Sequence, residues 1–361
     1  EAFLVSRFQG IIAMRHAALL CSLPLLLSLI IAVPRPAAAQ EKPAADTTVA
    51  DKLQADKPAA EKSAAEKPAT EKPAAEKPTA EKPAAAGANF MRLRRGNDQN
   101  PVAVETAVTR FERLVDGQPA LQVDLVSVIH IGEKSYYDSL NELFKKYDAV
   151  LYELVAPEGT RPPSASSGQK RVTSAHPVSA MQRTMQNMLA LEFQLEQVDY
   201  ARDNFIHADM TPEEMSKSMT ERQESWMGMI FRSIGQSMAQ QGIAQQSGDK
   251  KGQPANNGQL LMAFFAKDRA LRLRRLAAQQ FDDMDANMAA LQGPNGSTLI
   301  TERNKKALQV LDREIKNGKK QIAIFYGAGH MVDMAERLEK EFGLKRVGDQ
   351  WLTAWSLEAK P

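Results

Sequence analysis

"VDLVSVIHIGEKSYYDSLNELFKKYDAVLYEL", Val123 to Leu154, sets an apolar run, a histidine, an amphipathic stretch and a second apolar run ending near a glutamate in immediate succession. Val123 to Ile129 has the composition of a buried strand. From Glu133 to Tyr147 the residues Tyr136, Leu140, Leu143, Phe144 and Tyr147 recur at helical spacing, and Ala149 to Leu154 returns as a short apolar strand. A strand, a helix and a second strand form a βαβ unit, whose two strands run parallel. In a parallel sheet ligands gather beyond the carboxyl ends of the strands. His130 stands at one such end and Glu153 near the next.

Working outward, Val104 to Val115 and Leu121 to Ile129 read as a β-hairpin around Asp116-Gly117-Gln118-Pro119. Past the βαβ unit, Arg161 to Pro177 is a polar loop rich in Pro, Ser and Gly. Ser179 to Asn204 and Thr211 to Gln241 read as helices, the second opening on Thr211-Pro212-Glu213-Glu214, an N-cap followed by proline in the first turn. A second polar loop, Gly242 to Gly258, precedes the amphipathic stretch Gln259 to Leu291, which ends at Gly293-Pro294-Asn295-Gly296. Together these predict a large helical insertion at about 160–292. Ser297 to Asn317 is then a helix, Gln321 to Tyr326 a strand, and Gly327-Ala328-Gly329-His330 leads into a helix from Met331 to Phe342. Leu344 to Val347 and Trp351 to Leu357 supply two final strands. The expected fold is α/β, a parallel-core sheet built from βα units, interrupted by the insertion.

The front of the chain does not contribute to that fold. Met14 is the first plausible start, with residues 1–13 read as an upstream extension. Arg15 and His16 follow, then the apolar run Ala17 to Val33 and the small residues Ala37 and Ala39 before Gln40, the layout of a secretory signal. An uncleaved membrane anchor is the alternative. Cys21, the sole cysteine, lies inside this run and follows Leu20, not the small residue a lipoprotein signal needs. A cleaved chain therefore carries no thiol, which excludes disulfides, thiolate ligands and cysteine nucleophiles.

From Glu41 to Lys82 an acidic residue recurs at every fifth position, mostly followed by Lys and Pro. Such a repeat has little to bury, and its prolines break a helix, so 40–99 reads as a disordered spacer and possible cell-envelope tether. The domain proper is expected at 100–361, beginning near Val102. A net charge of +2 on 361 residues gives no long-range field to draw a nucleic acid, and none is expected as a partner.

Three βα positions place His130, Glu153 and His330 at one sheet edge. Two imidazoles and a carboxylate suit a divalent metal with an open coordination position, or acid–base chemistry without one. Gly327 and Gly329 would let backbone approach a bound group closely, beside the N–H groups of the following helix. Each histidine read singly is as easily a hydrogen-bonded structural residue; their shared edge argues for a site.

The blocks Ser127-Val128-Ile129-His130-Ile131-Gly132, Val150-Leu151-Tyr152-Glu153-Leu154, Glu302-Arg303-Asn304 and Gly327-Ala328-Gly329-His330 occur in that order across about 120–345. In this order they resemble the TraB/PrgY/GumN family, which is related to the Tiki metalloproteases and more distantly to ChaN-like and erythromycin-esterase-like proteins. The resemblance implies His130 and His330 as paired GxxH histidines, Glu153 as their carboxylate, and Arg303 with Asn304 as a polar pair orienting substrate. It departs at Ser127, where the family has glycine. The implied function is an exported metal-dependent hydrolase, a peptidase in the Tiki manner, with a divalent ion on His130, Glu153 and His330 and a peptide or small-molecule ligand. The alternatives are a binding protein that sequesters a peptide signal or haem-like cofactor, and a tethered protein with a vestigial site.

Read from its helix alone, Arg303 either pairs with Glu302 or Asp312 at the surface or grips a carboxylate or phosphate with its planar fork. Met181, Met185 and Met188 share a helix face as core filling. Lys267, Arg269, Arg272, Arg274 and Arg275 read as a solvated basic face. His207 and Asp209 precede a helix N-terminus within reach of the site, although Asp209 reads better as ordering that turn, and His176 lies in a polar loop.

Overall fold

A computed structural model of the chain describes residues 90–162, 188–225, 228, 262–263, 265–279 and 296–359. The leader, the repeat spacer, most of the loop from Arg161 to Pro177, the loop from Gly242 to Gly258, His176, Met181 and Met185 lie outside the described residues. Among the described residues no helix is long and apolar enough to cross a membrane.

The elements follow in chain order: β1 Met91–Arg95, β2 Pro101–Val115, β3 Gln118–Val128, β4 Ile131–Gly132, α1 Lys134–Phe144 and β5 Ala149–Tyr152. Next come β6 Glu192–Phe193, the single turn α2 Gln194–Gln197, β7 Phe205–His207, α3 Pro212–Glu221 and α4 Arg269–Ala278. A π-helical turn, Thr298–Glu302, leads into α5 Arg303–Lys316, then β8 Gln321–Gly327, a 3-10 turn Ala328–His330, α6 Met331–Phe342 and β9 Lys345–Ser356.

The hairpin forms as its turn dictates. Val115 pairs with Gln118, leaving a two-residue loop of Asp116 and Gly117, both at positive φ (52° and 74°). Only that handedness matches the twist of the strands, and Asp-Gly tolerates it. β1 extends the fold upstream of its expected start at Val102, and Phe90 is already buried. Arg92 and Arg94 hold β1 on β2, donating to the two oxygens of Glu105 at 2.8 and 2.7 Å.

The sheet runs β1-β2-β3-β8-β5-β7, with β9 also on β2. β3, β8, β5 and β7 are parallel, whereas β1, β2, β3 and β9 make antiparallel pairs, so the sheet is mixed. β3 and β5 run parallel as expected without touching, because β8 inserts between them. Val128 pairs with Gly327 and Tyr152 with Phe325. This register brings the ends of three strands, and hence His130, Glu153 and His330, to one edge.

Both faces are covered. α1 buries Tyr136, Tyr137, Leu140 and Phe144 on one face, where the Phe144 ring meets Phe205 and Phe325 at 5.3 and 4.7 Å between centroids. On the other, α5 and α6 bury Ala307, Leu308, Leu311, Met331, Met334 and Leu338 against Leu125, Leu151 and Ile324. Each large apolar side chain so buried contributes about 1.5–3 kcal/mol. α6 stops where expected, at Gly343 with φ 63°.

Several expectations change. Ser179 to Asn204 is not one helix: its described part contains β6, α2 and a turn with Ala190 at φ 51°. β6 is drawn out of helix by pairing with β4. Of Thr211 to Gln241, the described helix is α3, whose Thr211 and Glu214 form a reciprocal capping box at 3.1 and 2.8 Å. The two final strands are one, β9, since ten of its residues pair continuously enough with β2 to bridge the expected break. The basic face of α4 is not wholly solvated. Arg274 donates to Leu189 O, Ala190 O and Glu133 Oε1, each at 2.6 Å, and Arg275 to Leu357 O at 2.8 Å.

Candidate active site

His130 follows β3 on a loop fixed at every carbonyl. Tyr137 Oη donates to Ile129 O at 3.1 Å, Gln194 N to His130 O at 2.9 Å and Trp355 Nε1 to Ile131 O at 2.7 Å. The His130 ring places Nδ1 2.8 Å from Gln194 Oε1, and Gln194 Nε2 donates to Tyr200 Oη at 2.8 Å. With Nδ1–H given to the amide oxygen, Nε2 keeps its lone pair. Burial lowers the His130 pKa from its ordinary 6.5, against the opposing pull of Glu153.

Glu153 directly follows β5, and its N–H continues the ladder to Phe325 O at 3.2 Å. Its carboxylate is 6% exposed; Oε2 accepts Gly327 N–H at 2.8 Å and Oε1 accepts Arg303 Nη2 at 2.6 Å. Burial alone would raise its pKa; the Arg303 charge and the hydrogen bonds outweigh that and hold it well below 4.5.

Arg303 opens α5 and is 2% exposed. Its fork is bidentate to Asp209, Nε to Oδ1 at 2.9 Å and Nη2 to Oδ2 at 2.6 Å. Nη1 reaches Leu299 O at 3.5 Å and His330 Nε2 at 3.4 Å. Although burial opposes the charged form, Asp209 and Glu153 raise the Arg303 pKa above its ordinary value. The carboxylates it grips are the protein's own, and it does not sit at the surface with Glu302 or Asp312.

His330 closes the group. Asn304 Nδ2 donates to His330 O at 3.0 Å and Asp333 Oδ2 at 2.8 Å, neither of which can donate in return. Asn304 Oδ1 is therefore the acceptor facing His330 Nδ1 at 2.6 Å, and His330 Nε2 carries the lone pair, 3.5 Å from Glu153 Oε1. The Tyr326 ring stands edge-on to His330 at 5.2 Å, and its hydroxyl donates to Ala208 O.

Gly327 packs tightly against this group. A Cβ built on Gly327 would lie 3.3 Å from Glu153 Oε2 and 3.6 Å from His130 Nε2. Its backbone, at φ −56° and ψ 145°, suits any residue, so what glycine provides is space. His130, Ala328 and Gly329 are partly exposed and form the mouth, while Glu153, Arg303, Asn304 and His330 are buried behind it.

The expected residues thus converge, but their use differs from expectation. Asn304 is fully buried and spends its amide on His330 and Asp333, so it positions an imidazole and does not meet a substrate. Among the described residues no group of three or more His, Cys, Asp or Glu stands close enough together to hold a metal ion. The Arg303 guanidinium occupies the edge of Glu153 that faces His330, and as placed the donor set does not fit a resident ion. Asp209 does both things its position allowed: Oδ1 accepts Met210 N–H at 2.8 Å, and it is the main partner of Arg303; the site residue that escaped the sequence reading is Gln194. His207 Nε2 donates to Leu154 O at 2.6 Å. No family profile matches the chain, and no characterised protein or solved structure matches it. Fold and site together define an α/β protein with a buried Glu–Arg–Asp core flanked by two amide-tethered histidines at the carboxyl edge of its sheet.

Proposed function

We propose that the chain is an exported hydrolase of amide or peptide-like bonds, of the TraB/GumN-like class, with the segment at about 160–292 as a largely helical insertion and residues 40–99 as its tether. The observation that carries this reading is the approach of a histidine lone pair and an ionised carboxylate oxygen over Gly327, a residue with no side chain to part them. A water admitted from the mouth, clear of the Gly327 backbone, would donate one hydrogen to His130 Nε2 and the other to Glu153 Oε2. His130, kept neutral by burial, takes the proton as the water oxygen attacks a carbonyl carbon entering past Ala328 and Gly329, and returns it to the leaving amine. Glu153 stays ionised through Arg303 and stabilises the imidazolium that forms. Arg303, fixed by Asp209, holds the inner side of Glu153, with His330 and Asn304 behind it.

A metal-dependent form of this chemistry, with a divalent ion on His130, Glu153 and His330, would need those donors to close on one point and Arg303 to leave the Glu153 edge. No step here is routed through an ion. The rival reading, sequestration of a peptide without turnover, draws on the saturation of the core: both Glu153 oxygens already have partners within the protein.

The test is cleavage of a mixed peptide library by the full-length chain and by His130→Gln, each with and without EDTA. The expected result is cleavage by the native chain that EDTA leaves unchanged and that falls roughly 100-fold or more in the variant, the usual weight of a general base. Loss of cleavage with EDTA and its return with a divalent ion would replace the acid–base mechanism by the metal one. Retention of an uncut peptide would favour the binder.

A further inference from the structure

We propose that Gln194 is the positioning residue for His130, fixing which ring nitrogen carries the proton and aiming the other at Glu153. Gln194 holds His130 at both ends: its backbone N–H donates to His130 O at 2.9 Å, and its side-chain oxygen lies 2.8 Å from Nδ1. Its own amide is oriented by Tyr200 Oη at 2.8 Å, and it is only 3% exposed. A neutral amide settles the tautomer without adding charge, as a carboxylate in the same place would.

The segment that carries Gln194 is itself anchored to the His130 loop. Phe193 pairs with Ile131 and Glu192 with Gly132. Just upstream, Ala190 adopts φ 51°, a conformation that costs a non-glycine residue about 1 kcal/mol or more and persists only where the surroundings enforce it. Arg274 enforces it, gripping Leu189 O and Ala190 O while its third contact, also 2.6 Å, is Glu133 Oε1 in the His130 loop. The same device serves His330, where Asn304 supplies the amide oxygen from an unrelated helix. Each imidazole thus has an amide on Nδ1 and its Nε2 on the Glu153 side: His330 Nε2 lies 3.5 Å from Glu153 Oε1, and His130 Nε2 shares the Gly327 corner with Glu153 Oε2.

The consequence for turnover rests on the hydrolase reading; the tautomer does not, and the two are read separately. The full-length chain, with ¹⁵N-labelled histidine, is examined by NMR at about pH 8, where histidines are neutral. Its five histidines give a spectrum in which His130 is assigned by its loss in His130→Gln. The native ring should be the Nδ1–H tautomer. Gln194→Leu should scramble it and lower peptide cleavage about 10-fold or more, and Gln194→Glu, which keeps an acceptor for both Nδ1–H and the Tyr200 hydroxyl, should restore the tautomer. An Nε2–H tautomer in the native chain, or an unchanged tautomer in Gln194→Leu, overturns the proposal. If Gln194→Leu fails to fold, the native and Gln194→Glu spectra still decide it. A scrambled tautomer with unaltered cleavage upholds the positioning role and removes His130 as the base.

Discussion

The corners around His330 and His130 reach the same carboxylate from neighbouring parallel strands, yet they are built for different ends. His330 is 5% exposed and tied to Asn304 on the adjacent helix, with Arg303, Asp209 and Tyr326 around it. His130 is half-buried, and its partner Gln194 comes from 64 residues away in the sequence. One corner concentrates buried charge and hydrogen bonds, whose removal endangers the fold. The other faces the mouth, and its removal should endanger only chemistry.

The largest effect should come from Arg303→Met, which leaves Asp209 and Glu153 buried without their cation. Urea unfolding should show a loss of about 3–5 kcal/mol, as when one partner of a buried ion pair is deleted. Asn304→Leu removes three hydrogen bonds to buried or half-buried groups and should cost about 2–3 kcal/mol in the same assay. By contrast His130→Gln should shift stability by under about 1 kcal/mol while it abolishes cleavage. Equal losses in all three variants would erase the distinction between the corners.

Acid sharpens the comparison. His130 and Glu153 both have folded pKa values below their unfolded ones of 6.5 and 4.5. The unfolded chain therefore binds more protons, and stability should fall as pH drops below about 6.5 and fall further below about 4.5. In Arg303→Met the sign at Glu153 reverses, because burial without the guanidinium raises its pKa. Mild acid should then stabilise that variant relative to the native chain, as thermal melts across pH 7 to 4 would show.

Much of the fold was legible because local chemistry dictates it. Asp116-Gly117 named the hairpin, the helical spacing from Tyr136 to Tyr147 named α1, and the small residues before His330 named the strand end. The insertion of β8 between β3 and β5 had no local signature, since strand order is decided by long-range pairing. The π turn at Thr298–Glu302 also hid inside an apparently regular helix, because an extra residue in one turn barely disturbs a hydrophobic period. Asp209 was legible as a residue within reach of the site, since "FIHAD" ends an apolar strand with an acid just as "VLYE" does at Glu153, but its pairing with Arg303 was not. Gln194 gave no signal, because a lone glutamine in an irregular segment shows its role only once His130 is seen beside it.

The most direct trial of the account is a side-by-side cleavage and melting experiment on the native chain and Gly327→Ala. The added methyl meets Glu153 Oε2 and His130 Nε2 at 3.3 and 3.6 Å on a backbone that accepts alanine. The account predicts a variant that still folds, destabilised by about 1–3 kcal/mol as Glu153 gives way to the methyl, and no cleavage, because the methyl crowds the water from between Glu153 and His130. Undiminished cleavage by Gly327→Ala, or a native chain that cuts nothing, would contradict it.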